Sequence, residues 1–235
     1  GLAIDFDLEA TDWLTLIFGG EAFVDINRGV YQNAWLPDQE GLCPDPFVFH
    51  EDDPHLRCKA EDTLVSDDMR IIGGLFLQGE ARPVDVLALS AGVRLQLSDA
   101  YDPAVLGSGG LVWNIWDRIN LKAFYASGMR PPSVTSTNVR TTVSGVSFSN
   151  NPNLTVETSH SAELELNAML ARDVGPVRDL YLRANGAFTL MDNVIGRPGG
   201  RFENSGQRHI WTAEALARLR FHDGHEIWGN YTFTK

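Results

Sequence analysis

Cys43 and Cys58 carry the most direct covalent chemistry in the chain, and both fall in one acidic stretch beside Pro44, Pro46 and Pro54. Two thiols confined to a single long loop most simply form a disulfide, which needs an oxidising compartment. A bridge closing about fifteen residues stabilises by on the order of 3 kcal/mol in the chain-entropy model. Zinc is the weaker reading, because these thiols with His50 and His55 do not give a familiar ligand spacing. Around them lie Asp38, Glu40, Asp45, Glu51, Asp52, Asp53, Glu61, Asp62, Asp67 and Asp68. These carboxylates read first as a solvated loop and second as a site for a cation or cationic ligand. They do not follow the spacing of a calcium loop, so no metal is assigned. The remaining histidines, His160, His209, His222 and His225, mostly occupy turns and loops. No Ser, His and acid constellation and no close carboxylate pair stands out, so neither an enzyme nor a cofactor is expected.

The net charge of -12, from 31 acidic and 19 basic residues, leaves no basic stripe to displace phosphate counterions, and a nucleic-acid partner is not expected. With 43% hydrophobic and 21% charged residues the composition suits a soluble domain or a barrel with a wet interior. No signal peptide and no run of eighteen apolar residues is present. The chain begins at Gly1 inside a strand-like pattern and ends at Lys235 as another strand finishes, so it reads as a slice of a longer protein.

The elements that must position these residues are strands. In Leu2 to Glu9, Leu2, Ile4, Phe6 and Leu8 fall on one face and Ala3, Asp5, Asp7 and Glu9 on the other. A strand has a side-chain period of two, so one face meets an apolar medium and the other meets water. The pattern recurs at Leu14 to Val24, Leu87 to Leu97, Glu163 to Leu170, Leu180 to Leu190 and Trp211 to Phe221. Four further segments, Met69 to Ala81, Gly109 to Ile115, Asn120 to Ser127 and Glu226 to Thr234, alternate less cleanly, making ten in all.

Between them, short turns near Ala10 to Asp12, Arg82 to Asp85, Trp116 to Ile119, Arg172 to Asp179 and His222 to His225 interleave with long links near 26–68, 98–108, 128–157 and 191–208. Every second connection is long, so the long loops emerge at one rim. This predicts an all-β, antiparallel up-and-down transmembrane β-barrel, with short turns facing the periplasm and long loops facing outside. Asp5, Asp7, Glu9, Arg94, Lys122, Glu163, Glu165, Arg183, Glu214, Arg218 and Arg220 then face the lumen, where opposite charges on neighbouring strands pair. Trp13, Trp116, Trp211, Tyr125 and Tyr231 sit near strand ends, as interfacial girdles do, although not all have the parity of the lipid face. A soluble sandwich or propeller also alternates, but no blade repeat is visible and a sandwich does not usually put every long loop at one end.

A family resemblance enters at Leu121-Lys122-Ala123-Phe124-Tyr125-Ala126-Ser127-Gly128-Met129-Arg130-Pro131-Pro132-Ser133, followed by Asn151-Pro152-Asn153-Leu154-Thr155-Val156-Glu157-Thr158-Ser159. Together with Phe202-Glu203-Asn204-Ser205-Gly206 and Trp228-Gly229-Asn230-Tyr231-Thr232-Phe233, this series resembles the barrels of TonB-dependent outer-membrane receptors. Met129, Pro131 and Val156 depart from the family's usual Phe, Ala and Pro.

The resemblance implies that residues 1–235 are a partial barrel, about ten strands of a 22-stranded wall, with an N-terminal plug outside this chain. It further implies a bacterial outer-membrane location, contact with outer-membrane lipid, coupling to the TonB complex through the missing plug, and a small-molecule or metal-chelate substrate. A ferric siderophore, haem, cobalamin or a glycan would fit; a passive porin-like channel or a secreted β-rich binding or adhesion module is the alternative. Among the matched residues, Arg130 before two prolines leaves the strand at the rim, where prolines lack N–H donors. It would pair with a carboxylate and hold the loop, or meet an anionic ligand. Asn151, Asn153 and Glu157 read as turn-forming and loop-anchoring groups with the same minority ligand role.

Overall fold

The computed structural model describes residues 1–27, 68–138, 140–143, 146–149 and 151–235. Cys43, Cys58, His50, His55 and the acidic loop up to Asp67 lie outside them, and the expected disulfide with them. In chain order the elements are β1 (Leu2–Thr11), β2 (Leu14–Asn27), β3 (Asp68–Val84), β4 (Leu87–Ser98), β5 (Ala104–Trp116), β6 (Ile119–Arg130) and a one-turn helix α1 (Val134–Asn138). There follow β7 (Arg140–Val143), β8 (Val146–Ser149), β9 (Glu157–Val174), β10 (Val177–Asp192), β11 (Ile195–Gly196), β12 (Glu203–Asn204), β13 (Arg208–Phe221) and β14 (Glu226–Thr234).

Ten of the strands form one antiparallel sheet in the order β1-β2-β3-β4-β5-β6-β9-β10-β13-β14, while β7-β8 and β11-β12 make two small hairpins inside loops. Every strand of the sheet pairs with the next one in the chain, apart from those hairpins, as an up-and-down wall requires. Turns at one rim are tight, for example Gly175 with Pro176 between β9 and β10. Gly175 adopts φ +57°, a conformation that only glycine takes without strain.

Register carries each strand's apolar face into line with its neighbour's. One transverse row reads Leu8, Leu16, Gly79, Ala91, Gly109, Tyr125, Ala162, Phe188 and Trp211. The alternate face carries Lys122, Glu165, Asn185, Glu214 and Thr232 in another row. A one-residue slip at any pair would turn a strand's whole apolar set to the polar side, so the shared parity is what fixes the pairing.

Among the described residues no second sheet covers the apolar face: Leu164 is 53% and Trp211 56% exposed, and the buried apolar residues are Ile72, Leu154, Ala168 and Val194. A dry sandwich core is thereby excluded. Trp211 and Phe221 bracket the outer face of β13 ten residues apart. At about 3.3 Å per residue and a tilt near 40°, that stretch spans about 25 Å of depth, the height of a barrel's hydrocarbon band.

Several boundaries differ from expectation, among them the turn expected at Arg172 to Asp179, which closes to 175–176 between β9 and β10. The link after β4 is confined to residues 99–103, because β5 begins at Ala104 rather than near Gly109. Gly107, Ser108, Gly109 and Gly110 dilute the alternation there, yet they pair with Val93, Gly92, Ala91 and Ser90 in unbroken register. The small residues let a strand persist where pattern alone suggests a loop. β6 likewise continues through Gly128 and Met129 to Arg130, so its link starts at Pro131.

Candidate functional site

The rim that carries the long links is where the candidate residues meet. Arg130, last in β6, lies directly opposite Glu157, first in β9. Its Nε approaches Glu157 Oε2, and the burial of the two is very unequal: the Arg130 side chain is 70% exposed and that of Glu157 2%. The other carboxylate oxygen, Oε1, accepts the backbone N–H of Ile195 at 2.5 Å. A buried carboxylate needs both a cation and donors to offset lost hydration, and Glu157 has them from two different segments.

Asn151 is bonded on three sides. Its side-chain nitrogen donates to the Phe202 carbonyl at 2.9 Å, its Oδ1 accepts the Asn153 N–H at 3.0 Å, and its own N–H donates to the Ser136 carbonyl at 3.1 Å. Asn153 contributes through its backbone, closing the Asx turn that brings the chain to β9. The structure therefore brings Arg130 and Glu157 into direct contact, and ties Asn151 and Asn153 to each other and to residues 193–207.

Three further participants are not among the site residues named from sequence. Arg70, near the start of β3, is 8% exposed; it donates to the Pro132 carbonyl at 2.7 Å and to Asp68 at 2.9 Å. Pro132 has no N–H but keeps its carbonyl, and that acceptor is what Arg70 uses. Asn204, within the aromatic-x-Asn-x-Gly signature, accepts the Thr155 N–H at 2.9 Å and donates to the Thr155 carbonyl at 3.0 Å and the Asn193 carbonyl at 2.8 Å. Ser133 caps α1 by accepting the Ser136 N–H at 3.1 Å. Asn204 and Ser133 had a signal in the chain, the motifs around them; Arg70 sits on a strand whose alternation is weak and its partner is 62 residues away.

Below this rim the inward face is polar. Lys122 pairs with Glu165 at 2.9 Å, Arg183 with Glu214 at 3.8 Å, Arg220 with Asp179 at 2.8 Å, and Arg94 with Glu21. Asn167 donates to Glu165 at 2.7 Å and to Asn120 at 3.0 Å and accepts from Tyr181, while Arg218 lies 5.4 Å above the Tyr181 ring. Lys122 with Glu165, Arg183 with Glu214 and Arg220 with Asp179 pair opposite signs on adjacent strands, while Arg94 on β4 reaches Glu21 on β2 past Gly74 of β3. No group of three or more metal-binding side chains exists among the described residues. The arrangement offers hydrogen bonds and charge to a hydrated solute or to a polar domain inside the wall.

Residues 2–235 match the family model described as TonB dependent receptor-like, beta-barrel. A search of curated protein sequences finds no match. Among solved structures, the siderophore receptor PirA from Pseudomonas aeruginosa aligns over 99% of this chain and 39% of its own, with TM-score 0.68 and 15% identity. A variant of the ferric enterobactin receptor PfeA from the same organism aligns over 98% and 34%, with TM-score 0.68 and 17% identity. The FrpB iron transporter from Neisseria meningitidis aligns over 98% and 35%, with TM-score 0.62 and 13% identity. At these identities the likeness is one of fold, and the chain spans between a third and two fifths of each of those proteins.

Proposed function

Starting from the premise that this chain belongs to the TonB-dependent receptor β-barrel family, we propose that it forms part of a bacterial outer-membrane receptor that captures a scarce solute at its outer loops and passes it inward. In this reading the long-loop rim faces outside, the apolar face meets outer-membrane lipid, and a plug outside this chain couples to the TonB complex. The ten strands supply part of a 22-stranded wall. The substrate is a small molecule or metal chelate, with ferric siderophores favoured because the similar structures are named as siderophore and iron receptors. Haem, cobalamin and glycans are the other classes to be tested.

The observation that carries the reading is the joint placement of a structured loop rim above a charge-paired inward face, on a sheet whose other face is apolar and uncovered. Arg130, Asn151, Asn153 and Glu157 act in it as loop anchors. Of these, Arg130 is the one whose exposed guanidinium also leaves room for contact with an anionic solute.

The test is membrane fractionation of the full-length protein together with uptake of labelled ferric chelates in cells with and without TonB. Outer-membrane recovery and TonB-dependent uptake support the proposal. TonB-independent leakage of many small solutes would instead identify a passive channel, and recovery in the soluble periplasm would identify a secreted binding module.

A further inference from the structure

Residues 151–157, which lead into and open β9, and the link 193–207 are joined at three separate points. Glu157 holds Arg130 with one oxygen and the Ile195 N–H with the other. Asn204 bonds Thr155 through both its N–H and its carbonyl, and bonds Asn193 within its own link. Asn151 donates across to the Phe202 carbonyl. Leu154 and Val194, one in each link, are 8% and 5% exposed. The Glu157–Ile195 and Asn151–Phe202 bonds are part-buried, where a polar group that loses its partner costs stability, while the Asn204–Thr155 bonds are exposed and add a further tie between the same two segments.

From this the geometry points to Glu157 as a positioning residue that makes residues 151–156 and 193–207 a single cooperative unit, opening and closing together. Its burial leaves no carboxylate surface for a solute; Oε1 accepts the Ile195 N–H, and Oε2 has the charge of Arg130 but no hydrogen bond among the described residues. A solute that orders either link then orders the other, which gives positive coupling between contacts on the two loops. The coupling does not depend on which solute the receptor carries, or on its carrying one.

Hydrogen exchange followed by mass spectrometry on the full-length protein in detergent micelles, without ligand, tests it. Glu157→Ala removes the acceptor of Ile195 and touches no hydrogen bond internal to either link. The expected result is exchange at least tenfold faster both in 193–206 and in 151–156, where the Asn151 N–H is bonded to Ser136 within its own link. Protection in the centres of β9 and β10 stays unchanged, which shows that the wall is intact. Asn204→Ala is the second variant and is expected to speed the Ile195 amide although it never touches it. If each variant accelerates only the amides bonded directly to the altered side chain, the loops move independently and the inference is overturned. Should Glu157→Ala fail to fold, the Asn204→Ala result alone decides.

Discussion

The wall divides into two regions that answer the same problem differently. Across β6, β9, β10 and β13 the inward face is a ladder of matched partners, Lys122 with Glu165, Asn167 with Tyr181, Asn185 with Glu163, and Asp179 with Arg220. Across β1 to β5 it is sparser: Glu21 meets Arg94, Gln78 meets Glu80, and Gly19, Gly74, Gly92 and Gly110 occupy inward positions. On β1, Asp5, Asp7 and Glu9 have no ion-pair partner among the described residues. The networked region also carries the two interlocked links, whereas the link between β4 and β5 is only 99–103. Among the described residues, matched charges and anchored loops thus occur on the same strands; the link 28–67 between β2 and β3 lies outside them. Side chains held by their neighbours along a strand give a loop a defined base to leave from.

The largest way to break this contrast is to remove the rest of the barrel. Produced alone in water, the 235-residue chain keeps two open edges, β1 and β14, and an uncovered apolar face, so it should aggregate or stay unfolded. Sedimentation velocity showing a monodisperse species with two-state unfolding would contradict that.

Next come the partners of the rim pair, measured by chemical denaturation of the full-length protein in micelles. Arg130→Met strands a buried carboxylate and should cost about 2–4 kcal/mol, somewhat below a fully buried pair because Arg130 is itself largely exposed. Glu157→Gln leaves an arginine that water can solvate and keeps an acceptor for Ile195, so about 1–2 kcal/mol is expected. The reverse order would show that the carboxylate is not the dependent partner.

A close approach in the sparser region gives the next effect. A methyl group at Gly19 would run into the backbone of Ile4 and Asp5 on β1, which cannot yield as a side chain can. Gly19→Ala should cost about 1–3 kcal/mol. The same change at Gly74 meets only the end of the Arg94 side chain and should cost less.

The smallest effects should come from charges of the sparse region. Glu21→Gln removes half of a pair whose members are each about a third exposed, for at most about 1 kcal/mol. Asp7→Asn, with no partner on the described wall, should stay within about 0.5 kcal/mol. If Asp7→Asn destabilises the full-length protein by more than Glu157→Gln does, β1 is held by a charged partner from outside the described residues.

Much of this arrangement is legible in the residues. The parity of Leu2 to Glu9 or of Trp211 to Phe221 assigns a face to every side chain before any pairing is known, and the inward set named from it faces inward in the register. Proline pairs and Asn-rich signatures mark where β6 ends and β9 begins. Glycine misleads in the other direction: at 107–110 it removes the apolar signal without removing the strand, because backbone pairing does not require a side chain. Long-range polar partners leave no local trace. Arg70 donates to the Pro132 carbonyl, and Asn204 to the Thr155 carbonyl, across 62 and 49 residues, and neither donor's pattern points to its acceptor.

What the sequence by itself determined is the alternation of faces, the rhythm of short and long links, and the motif residues at the rim. These are properties of consecutive residues, whose side chains must point to opposite sides of an extended chain. Only the tertiary structure decided which strands' charges meet and which loop closes on which. Those contacts depend on the register of strands far apart in the chain, and register is settled by aligning all the apolar faces at once.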